Sequence, residues 1–135
     1  MKNEEPEWIR CDPQSLETVL QGKEPSWLDV SGLNISSSFL KKLPSGLRGL
    51  NLSETPIVNK DLKHLSDLRQ LNHLNLSRTQ VSGGLQALTP LPLNDLSLAG
   101  CHKSTTTGLK PLGALTELRT LDLSGCGVTP KTAKI

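Results

Sequence analysis

One nine-residue pattern recurs along this chain and constrains its fold more than any other feature. Four copies read LRGLNLSET, LNHLNLSRT, LNDLSLAGC and LRTLDLSGC, starting at Leu47, Leu71, Leu93 and Leu118. An earlier copy, PSWLDVSGL, starts at Pro25. The fourth positions of the five copies are spaced 22, 24, 22 and 25 residues apart and are Leu28, Leu50, Leu74, Leu96 and Leu121. Repetition at this period predicts a stack of similar supersecondary units, each completed by its neighbours.

The composition agrees with a repeated packing environment. Leucine supplies 27 of the 135 residues, whereas the chain has one Phe, two Trp and no Tyr. A core that depends so heavily on one aliphatic side chain indicates one packing arrangement used many times. The formal net charge is only +2, and the basic residues are scattered, so we expect no nucleic-acid partner. No apolar run approaches the roughly 18 residues of a membrane span, so we expect no membrane partner.

The spacing within each copy predicts its local structure. The L-x-L centre is typical of a short strand whose two leucines point inward and whose middle residue points outward. Apolar residues at helical spacing follow, as in Leu62, Leu65, Leu68 and Leu71, and they predict a return segment. Parallel strands stack at about 4.8 Å while helices need more room, so the stack should curve with its strands on the concave face. We expect an α/β fold: a right-handed solenoid, or horseshoe segment, with short helices or turns on the convex face.

The N-terminal region contains a weaker copy. EPEWIRC, from Glu5, is similar to EPSWLDV, from Glu24, and this alignment places Ile9 and Cys11 at inward positions. The segment DPQSLETVLQG then predicts a short helix with Asp12 as N-cap and a glycine stop. We therefore divide the chain into a flexible start (1–4), a degenerate N-terminal capping repeat (5–22) and about five coils (23–135), the last of them incomplete.

The ninth position of the copies completes the pattern. It carries Leu33, Thr55, Thr79, Cys101 and Cys126. With this ladder the chain resembles the leucine-rich-repeat family across about residues 5 to 130. The LDLSGC and LSLAGC copies resemble the cysteine-containing subclass found in substrate-recognition arms of ubiquitin ligases, whereas the LNLSxT copies resemble bacterial repeats, including those of exported effectors. The mixture assigns no subfamily. The resemblance implies that the ladder residues are structural and bond turn backbone groups inside each coil.

The outward face of the strands is the predicted partner-binding surface. Its candidate residues are Trp8, Arg10, Trp27, Asp29, Asn51, His73, Asn75, Asp95 and Asp122. Small polar residues dominate the face, and the two tryptophans are its large apolar groups. Tryptophan is frequent among interface hot spots. The competing interpretation is that the two tryptophans cover the exposed end of the first coil, as a cap must.

The sequence offers no convergent chemistry. Cys101 and His102 diverge on the repeat template, and the three cysteines and three histidines are dispersed, whereas a structural zinc site needs four converging ligands. The sequence contains no phosphate loop, paired-acid site or hydrolase elbow. We therefore expect no catalytic, cofactor-binding or metal site, and no enzyme.

These observations predict a non-enzymatic protein–protein interaction module that binds a protein partner through its concave face. One alternative is a substrate-recognition fragment of a ubiquitin ligase or of an exported bacterial effector. Another is a structural unit that self-associates end to end, because the segment TPKTAKI supplies no polar cap after Leu123. An odd number of cysteines and the acidic, polar start favour the cytoplasm, or the host cell for an exported effector. Asn-x-Ser sequons at Asn34, Asn51 and Asn75 leave an extracellular receptor fragment as a further competitor.

Overall fold

A computed structural model describes residues 8–10, 26–103 and 106–126 of the chain. Within these ranges, six short strands form one parallel sheet whose order follows the chain order. The strands are β1 Ile9–Arg10, β2 Trp27–Asp29, β3 Gly49–Asn51, β4 His73–Asn75, β5 Asp95–Ser97 and β6 Thr120–Asp122. The predicted α/β class with a parallel sheet is confirmed.

The register of the sheet matches the alignment of the sequence copies. Leu28 lies beside Leu50, and the same position continues through the later strands at Leu74, Leu96 and Leu121. Ile9 pairs with Leu28 at the other end of the sheet, as the comparison of EPEWIRC with EPSWLDV predicts. The register is therefore confirmed for all six strands.

The return segments are short and mostly of the 3-10 type. They are the α-helices α1 Ser37–Lys41 and α2 Thr106–Leu109 and the 3-10 helices Asn59–Leu65, Leu85–Leu88 and Lys110–Ala114. The spacing of the leucines explains why 3-10 helices form here, because Leu85, Leu88 and Leu91 recur every three residues and are all buried. A 3-10 helix has three residues per turn, so this spacing keeps one apolar edge facing the sheet.

The core is a continuous apolar layer between the sheet and the return segments. Each central coil contributes two inward residues from its strand region, such as Leu50 and Leu52, which are fully buried. The last described strand differs, because Leu121 and Leu123 are only partly buried. Burying one leucine side chain contributes roughly 1.5–3 kcal/mol of transfer free energy, so this layer is the main source of stability.

Several sequence predictions fall outside the described residues. These are the flexible start, the capping helix after Asp12, the inward position of Cys11, and the segment from residue 127 to residue 135 where the last coil was expected to stop. In the part of the chain that the structure describes, no helix has the length and apolar character needed to cross a membrane.

Candidate functional site: the outer sheet face

Side chains that alternate with the inward leucines form what we call the outer sheet face. Its first column is Trp8, Trp27, Gly49, His73, Asp95 and Thr120, and its second is Arg10, Asp29, Asn51, Asn75, Ser97 and Asp122. The structure places all the predicted partner-binding residues on this face. Their role in binding stays a prediction.

Three rings of the first column gather at one end of the face. The ring centroids of Trp8 and Trp27 are 5.2 Å apart with the rings edge to face. His73 lies 5.5 Å from Trp8 and 5.9 Å from Trp27. These separations are those of interacting aromatic pairs, and all three residues remain partly exposed. We call the three side chains the aromatic cluster.

Gly49 makes the aromatic cluster possible. It lies between Trp27 and His73 in the first column. A Cβ atom at this position would lie 2.1 Å from Cε3 of Trp27, so the indole ring occupies the space above the glycine backbone. The sequence predicted neighbouring tryptophans and placed His73 in the same outward column, but it did not predict the contact of the His73 ring with the tryptophan rings. The signal that could have revealed it is a glycine flanked by two rings in one outward column.

A groove with a volume of about 310 Å³ adjoins the aromatic cluster. It runs over β4, β5 and β6, and its outward lining comes from His73, Asn75, Asp95, Ser97, Thr120 and Asp122. His73 therefore belongs both to the cluster and to the groove. Two of the described residues that line the groove are acidic, and none of them is a Lys or Arg.

Hydrogen bonds hold the two carboxylates in place. The Thr120 hydroxyl donates to Oδ1 of Asp95 at 2.5 Å, and Nδ1 of His73 lies 3.5 Å from Oδ2 of Asp95. Asp122 accepts from the Ser124 hydroxyl at 2.6 Å and from the Ser124 backbone N–H at 3.0 Å. Together these two bonds lower the pKa of Asp122 below its ordinary value of 3.8, the hydroxyl bond being the larger cause. Asp122 is therefore an anion at neutral pH.

The acidic residue at the other end of the face has a cationic neighbour. Nη1 of Arg10 lies 3.0 Å from Oδ1 of Asp29 and also donates to the Ser31 hydroxyl at 2.8 Å. Asp29 is therefore paired, whereas the carboxylates of the groove have no Lys or Arg partner among the described residues. The carboxylates of the outer sheet face that lack a Lys or Arg partner among the described residues are therefore those that line the groove.

The second column also supports the backbone of each turn. A side-chain oxygen accepts the backbone N–H two residues later, at 2.9–3.0 Å, in Asp29, Asn51, Asn75 and Asp122. Ser97 does the same for Ala99 at 3.3 Å. Alternate N–H groups donate to the next coil, as Val30 does to the Asn51 carbonyl at 3.1 Å, so the outward N–H groups need a local acceptor. Sequence reasoning missed this structural role, although the regular recurrence of Asp or Asn in the column indicates it.

The threonines of the ladder bond within their own coil. The Thr55 hydroxyl donates to the Leu52 carbonyl at 2.6 Å, and the Thr79 hydroxyl donates to the Leu76 carbonyl at 2.8 Å. Both threonines are buried. Each hydroxyl therefore closes the turn that carries it.

The cysteines of the ladder bond between coils instead. The Cys101 thiol donates to the Leu76 carbonyl at 3.0 Å, and the Cys126 thiol donates to the Leu98 carbonyl at 2.8 Å. Both thiols are buried and free of disulfides. Each acceptor belongs to the preceding coil, so the cysteines link adjacent coils. The apolar ladder residue Leu33 is buried as well.

The exposed groups of the outer sheet face are suited to contact with another molecule. Cys101 is buried while His102 is exposed, and the described residues contain no group of three or more His, Cys, Asp or Glu side chains that could hold a metal ion. The outer sheet face instead offers partly exposed rings, hydroxyls and two carboxylates beside a groove. These groups can stack, accept hydrogen bonds and pair with cations.

Comparison with known proteins gives partial similarities. No family model matches the chain. Over 82 residues, 53% of the chain, it is 39% identical to the receptor-like protein EIX1 of Solanum lycopersicum. Over 99 residues, 71% of the chain, it is 36% identical to a protein of Trypanosoma equiperdum named as an adenylate cyclase regulatory protein. The matched regions span only 8% and 15% of the lengths of these relatives.

Proposed function

We propose that this chain is a segment of a right-handed leucine-rich-repeat solenoid that binds a protein partner through the outer sheet face, which is the concave face of that solenoid. One observation carries the proposal: an open sheet face brings the aromatic cluster and a groove together at His73. Protein interfaces combine aromatic anchors with polar groups in this way.

The comparisons support a binding role. One relative is named as a receptor-like protein and the other as a regulatory protein, and both names fit a function exercised through contact. The proposal therefore assigns the chain no catalytic activity and no cofactor. It treats the ladder as structural, because the ladder side chains are buried inside the coils.

Selected peptides would test which surface binds. We would select binders to the intact chain from a displayed library of random peptides and then measure their affinities for two variants of matched size. Thr120→Trp fills the groove without changing charge, whereas Gln86→Trp makes a similar enlargement on an exposed return segment. We expect Thr120→Trp to weaken binding by about ten-fold or more and Gln86→Trp to leave it unchanged.

Two results would contradict the proposal. Peptides that bind both variants equally well would place the interaction on another surface. Failure to select any peptide that depends on the outer sheet face would remove the face as a binding site. Light scattering on the same samples tests the competing hypothesis of end-to-end self-association. Self-association would raise the molar mass as the protein concentration increases, even in the absence of peptide.

A further inference from the structure

We infer that the groove receives a Lys or Arg side chain from an extended segment of the protein partner, and that an apolar residue of the same segment packs on the aromatic cluster. This inference rests on the proposed function and specifies the chemistry of the partner. The charge of the groove, the positions of its acceptors and the distance to the rings support it.

The charge of the groove favours a cation. Asp95 and Asp122 line it, and no Lys or Arg is among the described residues that line it. Arg10 lies on the same face but at the other end of the sheet, where its Nη1 is 3.0 Å from Oδ1 of Asp29. A cationic side chain entering the groove therefore meets two carboxylates that have no Lys or Arg partner among the described residues, whereas an acidic one would be repelled.

The acceptors lie where one cation can reach both. Asp95 and Asp122 are diagonal neighbours on adjacent strands, since Asp95 pairs with Thr120 and Asp122 lies two residues further along β6. Strand spacing and rise per residue put their Cα atoms on the order of 8 Å apart. A guanidinium or ammonium group has donors only and fits between two such acceptors. Ser97, which pairs with Asp122, adds a hydroxyl to the same wall.

The distance to the aromatic cluster sets the spacing of the partner's residues. Trp27 is in β2 and Asp95 is in β5, three strand steps or roughly 14 Å away. An extended peptide covers that distance in about four residues. The rings of Trp8 and Trp27 then offer a surface for an apolar or aromatic side chain, and His73 connects that surface with the groove. The expected recognition element is a basic residue and an apolar residue separated by about four positions.

The selection described above gives a direct test. The peptides selected on the intact chain should be enriched in Lys or Arg over the starting library, with an apolar residue about four positions away. Their affinity should fall by about ten-fold or more for the double variant Asp95→Asn, Asp122→Asn, because charge-assisted hydrogen bonds are the stronger ones. The Asn side chain keeps the turn bond to residue 124, since Asn51 and Asn75 make the same bond in other coils.

A charge-matched variant controls for long-range electrostatics. Glu54→Gln, Asp67→Asn removes the same net charge from exposed positions outside the groove and should leave the affinities within about two-fold. Equal losses of peptide affinity in the two double variants would overturn the inference. Selected peptides that depend on the outer sheet face but are rich in Asp or Glu, or show no basic preference, would also overturn it while leaving the proposed function intact. Failure to select any peptide that depends on this face would instead count against both.

Discussion

The indole ring of Trp27 lies directly over the backbone of Gly49, so that a Cβ atom there would be 2.1 Å from Cε3 and 2.5 Å from Cζ3 of the ring. This contact lets the ring reach across β3 toward His73, 5.9 Å away between centroids. Glycine is required at position 49 because the Trp27 ring occupies the space that any side chain would fill. The most aromatic part of the outer sheet face therefore depends on the smallest residue in it.

Gly49→Ala should displace the Trp27 ring and open the aromatic cluster. Because the new methyl group must push a ring or the strand aside, we expect a loss of about 1–3 kcal/mol in the free energy of unfolding. Denaturant unfolding followed by tryptophan fluorescence measures both the stability and the environment of the rings. Gly46→Ala is the control, because a Cβ atom there meets nothing within 4 Å. Unchanged fluorescence in Gly49→Ala would contradict the placement of the ring.

Variants of Trp8 and Trp27 distinguish the two roles considered for the tryptophans, which are partner binding and covering the exposed end of the first coil. A double-mutant cycle with Trp8→Ala and Trp27→Ala should give a coupling of about 0.5–1.5 kcal/mol in unfolding, as edge-to-face pairs do. If Trp27 is also a binding anchor, Trp27→Ala should weaken the selected peptides by about ten-fold or more. Isothermal calorimetry of each variant measures the affinity. A clear loss of stability with unchanged affinity would assign Trp27 to the cap alone.

The sequence predicted what the repeat period controls. The nine-residue pattern determines which side of the strand each residue faces, and it predicts Leu28 and Leu50 in one row. The similarity of EPEWIRC to EPSWLDV adds Ile9 to that row. A parallel sheet follows from that row, because equivalent strands that stack in register must run in the same direction. The outward columns follow for the same reason.

Other features depend on contacts that a period does not encode. The sequence did not predict that Trp27 bends over Gly49 to meet His73, because that depends on the rotamers of rings in three different coils. Nor did it show that Cys101 bonds the Leu76 carbonyl of the preceding coil. Threonine at the same position of the repeat donates to a carbonyl of its own coil instead. The sequence did not predict the groove either, because its shape depends on how β4, β5 and β6 twist relative to one another.

The left-handed residue that follows each of the strands β2 to β6 gives a third prediction. Gly32 and Gly100 both have φ of +75°, a region that costs other residues roughly 1–2 kcal/mol. A Cβ atom at Gly32 would meet nothing within 4 Å, whereas one at Gly100 would lie 2.8 Å from Cγ of Arg78. Gly32→Ala should therefore show the backbone cost alone, and Gly100→Ala should cost more. Thermal unfolding measures both, and adding Arg78→Ala to Gly100→Ala should recover the difference if crowding by Arg78 is its cause.

The Asp122 carboxylate should titrate below its ordinary pKa. Because its pKa is lowered in the folded chain, its contribution to stability is fully present above the unfolded value, about 3.9, and is lost as the pH falls through the folded value. Ser124→Ala removes the hydroxyl bond but keeps the backbone bond, so the pKa should rise part of the way back. Carbon-13 NMR of the side-chain carboxyl follows the titration. Ser53→Ala is the control: it removes the equivalent hydroxyl bond to Asn51 and should leave the pKa of Asp122 unchanged. If Asp122 titrates in Ser124→Ala as it does in the parent chain, the hydroxyl bond does not lower its pKa.

The buried cysteines should react slowly with thiol reagents until the chain unfolds. Cys101 and Cys126 are 0% and 1% exposed, and each thiol donates to a carbonyl of the preceding coil. A mass-spectrometric labelling time course with peptide assignment distinguishes them from Cys11. Rapid labelling of Cys101 in the folded chain, or a disulfide that persists in reducing buffer, would contradict this prediction.

Replacing Cys101 tests how much its bond between coils contributes. Cys101→Ala should cost only about 1 kcal/mol from the lost hydrogen bond, because the Leu76 carbonyl keeps its bond from the Thr79 hydroxyl. Loss of the sulfur's packing adds to that cost. Cys101→Thr should recover part of the stability, since Thr55 and Thr79 fill equivalent positions by bonding a carbonyl of their own coil. Denaturant unfolding of the two variants gives the comparison, and a Thr variant less stable than the Ala variant would show that the position requires the reach of the cysteine thiol to the preceding coil.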